Sequence, residues 1–122
     1  TLTFRRLADA AADPARMDAV RALFVDPTRF DLWAPRWLER LDAEGGDRSA
    51  RAAAMRAVNP IYIPRNHLVE AVIEAAVDRD DFAPFHRLVE TLADPFTERD
   101  GLDAFARAPE PHERVLQTFC GT

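Results

Sequence analysis

The chain has 122 residues, the length of one ordinary domain, and a chain of that size buries roughly two-thirds of its unfolded surface. Apolar residues make up 48% and charged residues 30%, a globular rather than a disordered balance. The 21 acids against 16 bases leave a net charge of −5, which argues against a nucleic-acid partner. No window approaches the ~18 apolar residues of a membrane span, and no charged-then-apolar leader points to secretion.

The hydrophobic period is helical almost throughout. Residues 1–12 read as a first helix with Leu2, Phe4 and Leu7 apolar. Asp13-Pro14 is a cap and first-turn signal for a second helix, with Met17, Val20, Leu23 and Phe24 on one face. Asp26-Pro27 repeats that signal. The helix after it carries the clearest stripe in the chain: Phe30, Trp33, Ala34, Trp37, Leu38 and Leu41. Pro35 inside the stripe predicts a kink or restart near residues 31–35. Glu44-Gly45-Gly46-Asp47 is a loop whose last residue caps a fourth helix, and Asn59-Pro60 stops that helix near Val58.

Ile61-Tyr62-Ile63 reads as an extended connector. Pro64 opens a fifth helix whose wide apolar face predicts the most buried position in the fold. Asp80-Asp81 caps a sixth helix, with Phe82, Phe85, Leu88, Val89 and Leu92 inward, and Asp94-Pro95 ends it. A short helix is expected near residues 102–106, and Ala108-Pro109-Glu110-Pro111 opens an extended tail. The pattern predicts an all-α fold: a compact bundle of about five or six helices over residues 1–107, then a tail over 108–122 carrying Cys120. Trp33, Trp37, Leu41, Val72, Ile73, Phe85, Val89 and Leu92 are expected in its core.

All 16 bases are arginine. The absence of lysine removes P-loop, kinase-lysine and Schiff-base chemistry. Abundant alanine with arginine in place of lysine fits a GC-rich coding genome and favours helix. One cysteine, Cys120, excludes an internal disulfide and a cysteine-based zinc site and fits a reducing cytosol. The chain opens on Thr1 rather than Met, which suggests part of something longer.

No glycine spacing resembles a phosphate-binding loop. Asp81-Phe82-Ala83 resembles the kinase magnesium motif but lacks its glycine and reads as a helix cap beside a core Phe. His67, His86 and His112 fall on separate elements, so no metal site is expected. Trp33 and Trp37 are a base-stacking platform or, in the plainer reading, core. The segment from Met55 to His67 concentrates special residues around one junction: Arg56, Asn59, Pro60, Arg65 and Asn66. Two readings stand for it. In one, these side chains bracket the junction, Asn59 satisfying a helix end while Arg65 and Asn66 satisfy the connector backbone. In the other, the same donors contact a ligand or another domain.

Met55-Arg56, Asn59-Pro60 and Ile63-Pro64-Arg65-Asn66-His67 resemble the C-terminal signature of the selenoprotein O (SelO) family. Phe4-Arg5-Arg6-Leu7, Trp33, Trp37-Leu38-Glu39-Arg40-Leu41, Asp81 to Phe85, Asp94-Pro95-Phe96 and Thr118-Phe119-Cys120-Gly121-Thr122 match in order. The resemblance implies a kinase-like enzyme that binds ATP and Mg in an upstream region and transfers AMP to protein hydroxyls. None of that region's nucleotide or metal residues matches a position here. The chain would be the C-terminal helical part of a cytoplasmic adenylyltransferase, with no catalytic residue and no cofactor of its own, and unable to bind ATP·Mg alone. Its partners would be the upstream kinase-like domain and the parent's protein substrates, and it would be structural or regulatory. Cys120 matches the family's terminal redox position. The alternative is a free-standing helical interaction module without enzymatic role.

Overall fold

A computed structural model describes residues 2–117. Among them there is no strand, and seven helices follow one another: α1 (Leu2–Ala12), α2 (Met17–Arg21), α3 (Thr28–Glu44), α4 (Arg48–Val58), α5 (Asn66–Arg79), α6 (Ala83–Ala93) and α7 (Asp103–Ala106). The fold is all-α, as the period predicts. Single 3₁₀ turns stand at Pro14–Arg16 and Pro111–Glu113. The chain divides at Pro60–Ile61 into two compact units.

In the first unit α1 packs along α4. Ala8, Ala10 and Ala52 are wholly buried, and residues without side-chain bulk let helix axes approach closely. Leu7, Ala10, Val20, Phe30 and Ala34 form the core, with Met17, Trp37 and Met55 packed against it. The α2 segment is shorter than its stripe predicts. Asp13 accepts from Ala15 N at 3.1 Å and starts the 3₁₀ turn, and α2 stops at Arg21, before Leu23 and Phe24. Asp26 accepts from Thr28 N and Oγ1 and so starts α3. No break occurs at Pro35: α3 continues through it to Glu44. Asp47 accepts from Ala50 N at 2.8 Å and caps α4.

The second unit is built on the packed pair α5 and α6. Its buried residues are Ile61, Tyr62, His67, Ala75, Leu88 and Thr91. Helix α5 begins at Asn66, two residues after Pro64. It ends on Asp80, whose left-handed backbone (φ 53°, ψ 30°) lets Asp81 N reach back to Ala75 O at 3.0 Å. Asp81 Oδ1 accepts from Ala83 N and starts α6.

The core differs from the one the stripes predict. Trp33, Ile73, Phe85 and Val89 are between 41% and 51% exposed. Trp37, Leu41, Val72 and Leu92 are half-buried. Helix α5 buries only His67 and Ala75 along its length. The cause is thin layering. In the first unit the α1–α4 pair takes the centre and admits only Phe30 and Ala34 from α3. In the second, the α5–α6 pair leaves Ile73, Val77, Phe85 and Val89 between 48% and 76% exposed. Nor is the segment after Ala108 uniformly extended. Glu110 and Glu113 cap each other around the 3₁₀ turn, and Arg107 grips the Glu113 carboxylate with two nitrogens. Cys120 lies outside the described residues.

Candidate functional site

The residues singled out around the junction fall into two brackets, one in each unit, and the donor in each is mostly arginine. In the first unit Asn59 Nδ2 donates to Met55 O at 2.7 Å, so an amide side chain satisfies a carbonyl at the end of α4. Pro60 follows, half-buried, and forbids another helical turn. Arg56 Nη2 donates to Asp9 Oδ1 and ties α4 to α1 by an ion pair. The principal residue here was not foreseen. Arg5, 7% exposed, reaches from α1 to the carbonyls of Arg56 and Asn59, each at 3.3 Å. A cation at a helix C-terminus also meets the negative end of the helix dipole. Arg5 sits three residues before buried Ala8 on the border of the α1 apolar face, which is the one sequence signal for it.

In the second unit the connector backbone is paired without the Arg65 and Asn66 side chains. Ile61 N and Tyr62 N both donate to Pro95 O, at 2.8 and 3.2 Å, and Arg65 N donates to Ile63 O. Arg65 instead sends Nη2 to Ala106 O at 2.8 Å and so ties the start of α5 to the end of α7. Asn66 opens α5 and is exposed. The bracketing of the connector by these two side chains is therefore corrected. A proline carbonyl after α6 had the right geometry to pair both amides at once.

Tyr62 anchors this unit. It is 2% exposed, and its hydroxyl accepts from Arg99 N at 2.9 Å. The Arg99 guanidinium lies 5.4 Å from the ring centre while donating to Thr91 O at 2.6 Å. Nothing periodic marks a tyrosine in a connector, so this residue was not legible.

Beside it, His67 is buried at the first turn of α5, between grooves of about 440 and 450 Å³. Its Nε2 has no hydrogen-bond partner among the described residues. Burial pushes the ring below its ordinary pKa, with Glu113 opposing that and Arg107 and Arg65 assisting it. Glu113 is held down to about 2, chiefly by the Arg107 hydrogen bond and then by Glu110 N. Burial lowers Arg65 as well. The groove residues carry both signs, with Glu70, Glu74 and Glu113 against His112 and Arg114. His86 and His112 are exposed.

These contacts tie helices together through carbonyl oxygens. The class is an all-helical module stapled by arginine. Its kinship is shown by comparison. Residues 2–93 match the family described as protein adenylyltransferase SelO, and the chain belongs to that family. Among proteins named protein nucleotidyltransferase YdiU, it is 65% identical to that of Rhodopseudomonas palustris strain BisB5. It is 61% identical to that of strain CGA009 and 59% identical to that of Bradyrhizobium diazoefficiens. Each alignment covers all of this chain and 25% of the relative. The chain thus spans about a quarter of the length of the curated relatives it matches.

Among the described residues no three His, Cys, Asp or Glu side chains are grouped to hold a metal ion. The paired glycines, Gly45 and Gly46, lead into a helix N-terminus whose amide is already taken by Asp47. No helix among the described residues is long and apolar enough to cross a membrane.

Proposed function

We propose that this chain is the C-terminal helical part of a SelO-type protein adenylyltransferase that works in the cytoplasm on Ser, Thr or Tyr hydroxyls of other proteins. In that reaction the hydroxyl oxygen attacks the α-phosphorus of ATP, pyrophosphate leaves, and the hydroxyl proton passes to a base. ATP, Mg and the base are held by the kinase-like part of the parent, outside these 122 residues. The residues here supply a rigid helical body for that lobe. The observation that carries this reading is the 65% identity over the whole chain to a quarter of a protein named a nucleotidyltransferase. The same span of relatives favours a part of a larger enzyme over a free-standing interaction module.

The test is transfer of label from ATP to protein by the full-length parent. Label at the α-phosphate is expected to transfer and label at the γ-phosphate is not; the reverse pattern refutes the reading. Calorimetric titration of residues 1–122 with ATP·Mg is expected to give no micromolar binding. Arg65→Ala removes a charged donor from Ala106 O and is expected to cost roughly 1–3 kcal/mol. Parent activity should fall only in step with that loss. Full stability with lost activity would make Arg65 a contact to the catalytic lobe.

Cys120 carries the regulatory part of this proposal. Its thiolate, with a second cysteine elsewhere in the parent, is oxidised to a disulfide by exchange with a small-molecule disulfide, which is reduced to two thiols. Non-reducing peptide mapping of the full-length protein, with AMP transfer measured before and after reductant, tests it. Cys120 found only as free thiol, with Cys120→Ser leaving the redox response intact, refutes it.

A further inference from the structure

The first unit is inverted in one respect. Among its described residues five of the eight buried apolar ones are alanine, while Phe4, Phe24, Val25, Leu32 and Trp33 stand between 39% and 107% exposed. Three of these five stand together. Phe4, Phe24 and Trp33 border a groove of about 490 Å³ with the buried residues Leu7 and Phe30, and Asp26 and Arg29 stand at its polar side. The rings form one continuous ladder: Phe24 to Phe30 at 5.0 Å, Phe30 to Trp33 at 5.9 Å and Trp33 to Trp37 at 5.5 Å.

The groove has the volume of a small-molecule pocket but lacks the converging polar groups of one. The Asp26 carboxylate is engaged by Thr28 N and Oγ1. A contiguous aromatic surface of this kind marks a docking face for another polypeptide. We infer that the groove bordered by Phe4, Phe24 and Trp33 is the seat of an apolar segment of the parent polypeptide from outside these 122 residues, which inserts a large aliphatic or aromatic side chain above Phe30. The inference rests on the reading that the chain is part of a larger transferase.

The occupant follows from length. Three-quarters of each relative lies outside the aligned stretch, and a segment tethered to the face is present at high effective concentration, ahead of any second molecule. Aromatic walls with Asp26 and Arg29 beside them suit an apolar segment that ends in a polar group.

The experiment uses the full-length protein with the photoreactive residue benzoylphenylalanine at position 4. Phe4 is 56% exposed and outside the core cluster, so the change leaves the core intact. After irradiation and digestion, the captured peptide is expected to come from the parent outside residues 1–122. Capture of residues 61–122, capture of a second copy (read from a mixture of isotope-labelled and unlabelled protein), or no capture at all overturns the inference. AMP transfer by the same preparation is read separately. Transfer without outside capture removes the docking seat and keeps the enzyme reading. Outside capture without transfer does the reverse.

Discussion

Tyr62 offers the sharpest test of how the second unit is held. Tyr62→Phe keeps the ring, its burial and its stacking under Arg99, and removes one atom. That atom accepts from Arg99 N at 2.9 Å; its own bond to Arg99 O, at 3.4 Å, is too long to contribute much. The loss is therefore one backbone amide left unpaired in a half-buried place, worth about 1–2 kcal/mol. Tyr62→Ala removes the ring as well. A side chain 2% exposed leaves a cavity that two helices and a connector cannot close, so the cost should rise to about 3–5 kcal/mol. Urea unfolding of the 122-residue chain, followed by its helical circular dichroism, reads both changes as midpoint shifts at constant slope. If Phe and Ala at position 62 both leave the midpoint within error of the parent sequence, Tyr62 does not organise the unit and the account of the second bracket fails.

Asp80→Gly should stabilise the chain by about 0.5–1 kcal/mol, because φ 53° strains a residue with a β-carbon and suits glycine; a loss in the same unfolding assay would refute this. Asp47→Ala should cost about 1 kcal/mol through the lost bond to Ala50 N, read the same way. Acid should act in two windows. His67 is below its ordinary 6.5, so the unfolded chain binds the proton first and stability falls as pH drops through 6.5 towards the lowered value. Glu113, held at about 2 against an ordinary 4.5, contributes stability that is present above 4.5 and lost between 4.5 and 2. A His67→Leu variant should lack the first limb and a Glu113→Gln variant the second, as measured by midpoint against pH.

Helix ends were the legible part of this fold. Asp47 before α4, Asn59-Pro60 after it and Asp81 before α6 act through bonds to amides and carbonyls only a few residues away. A side chain that must meet a partner within one turn leaves its mark in the local sequence. The junction was legible in the same degree. Asn59 lies where its chemistry put it, because Met55 O is four residues back. Arg65 does not, because Ala106 O is 41 residues on and nothing local distinguishes it from the connector carbonyls. Arg5 to Asn59 spans 54 residues and was illegible for the same reason.

Burial was the illegible part, and the two helical stripes explain why. Periodicity reports which face of a helix is apolar; it does not report what covers that face. On α3 the stripe from Phe30 to Leu41 is regular, yet only Phe30 and Ala34 are buried. On α5 and α6, Ile73, Val77, Phe85 and Val89 keep helical spacing and remain between 48% and 76% exposed. Meanwhile the wholly buried residues of the first unit include Ala8, Ala10 and Ala52, which a hydrophobic stripe hardly registers. The pattern is self-consistent once the stripes are assigned to different layers. Alanine faces join the helices of this chain to one another, where close approach matters more than bulk. Much of the aromatic and branched surface, including Phe4, Phe24, Leu32 and Trp33, stays exposed in the first unit. A stripe marks an apolar face, and these 122 residues leave much of that face exposed at Trp33, Ile73, Phe85 and Val89.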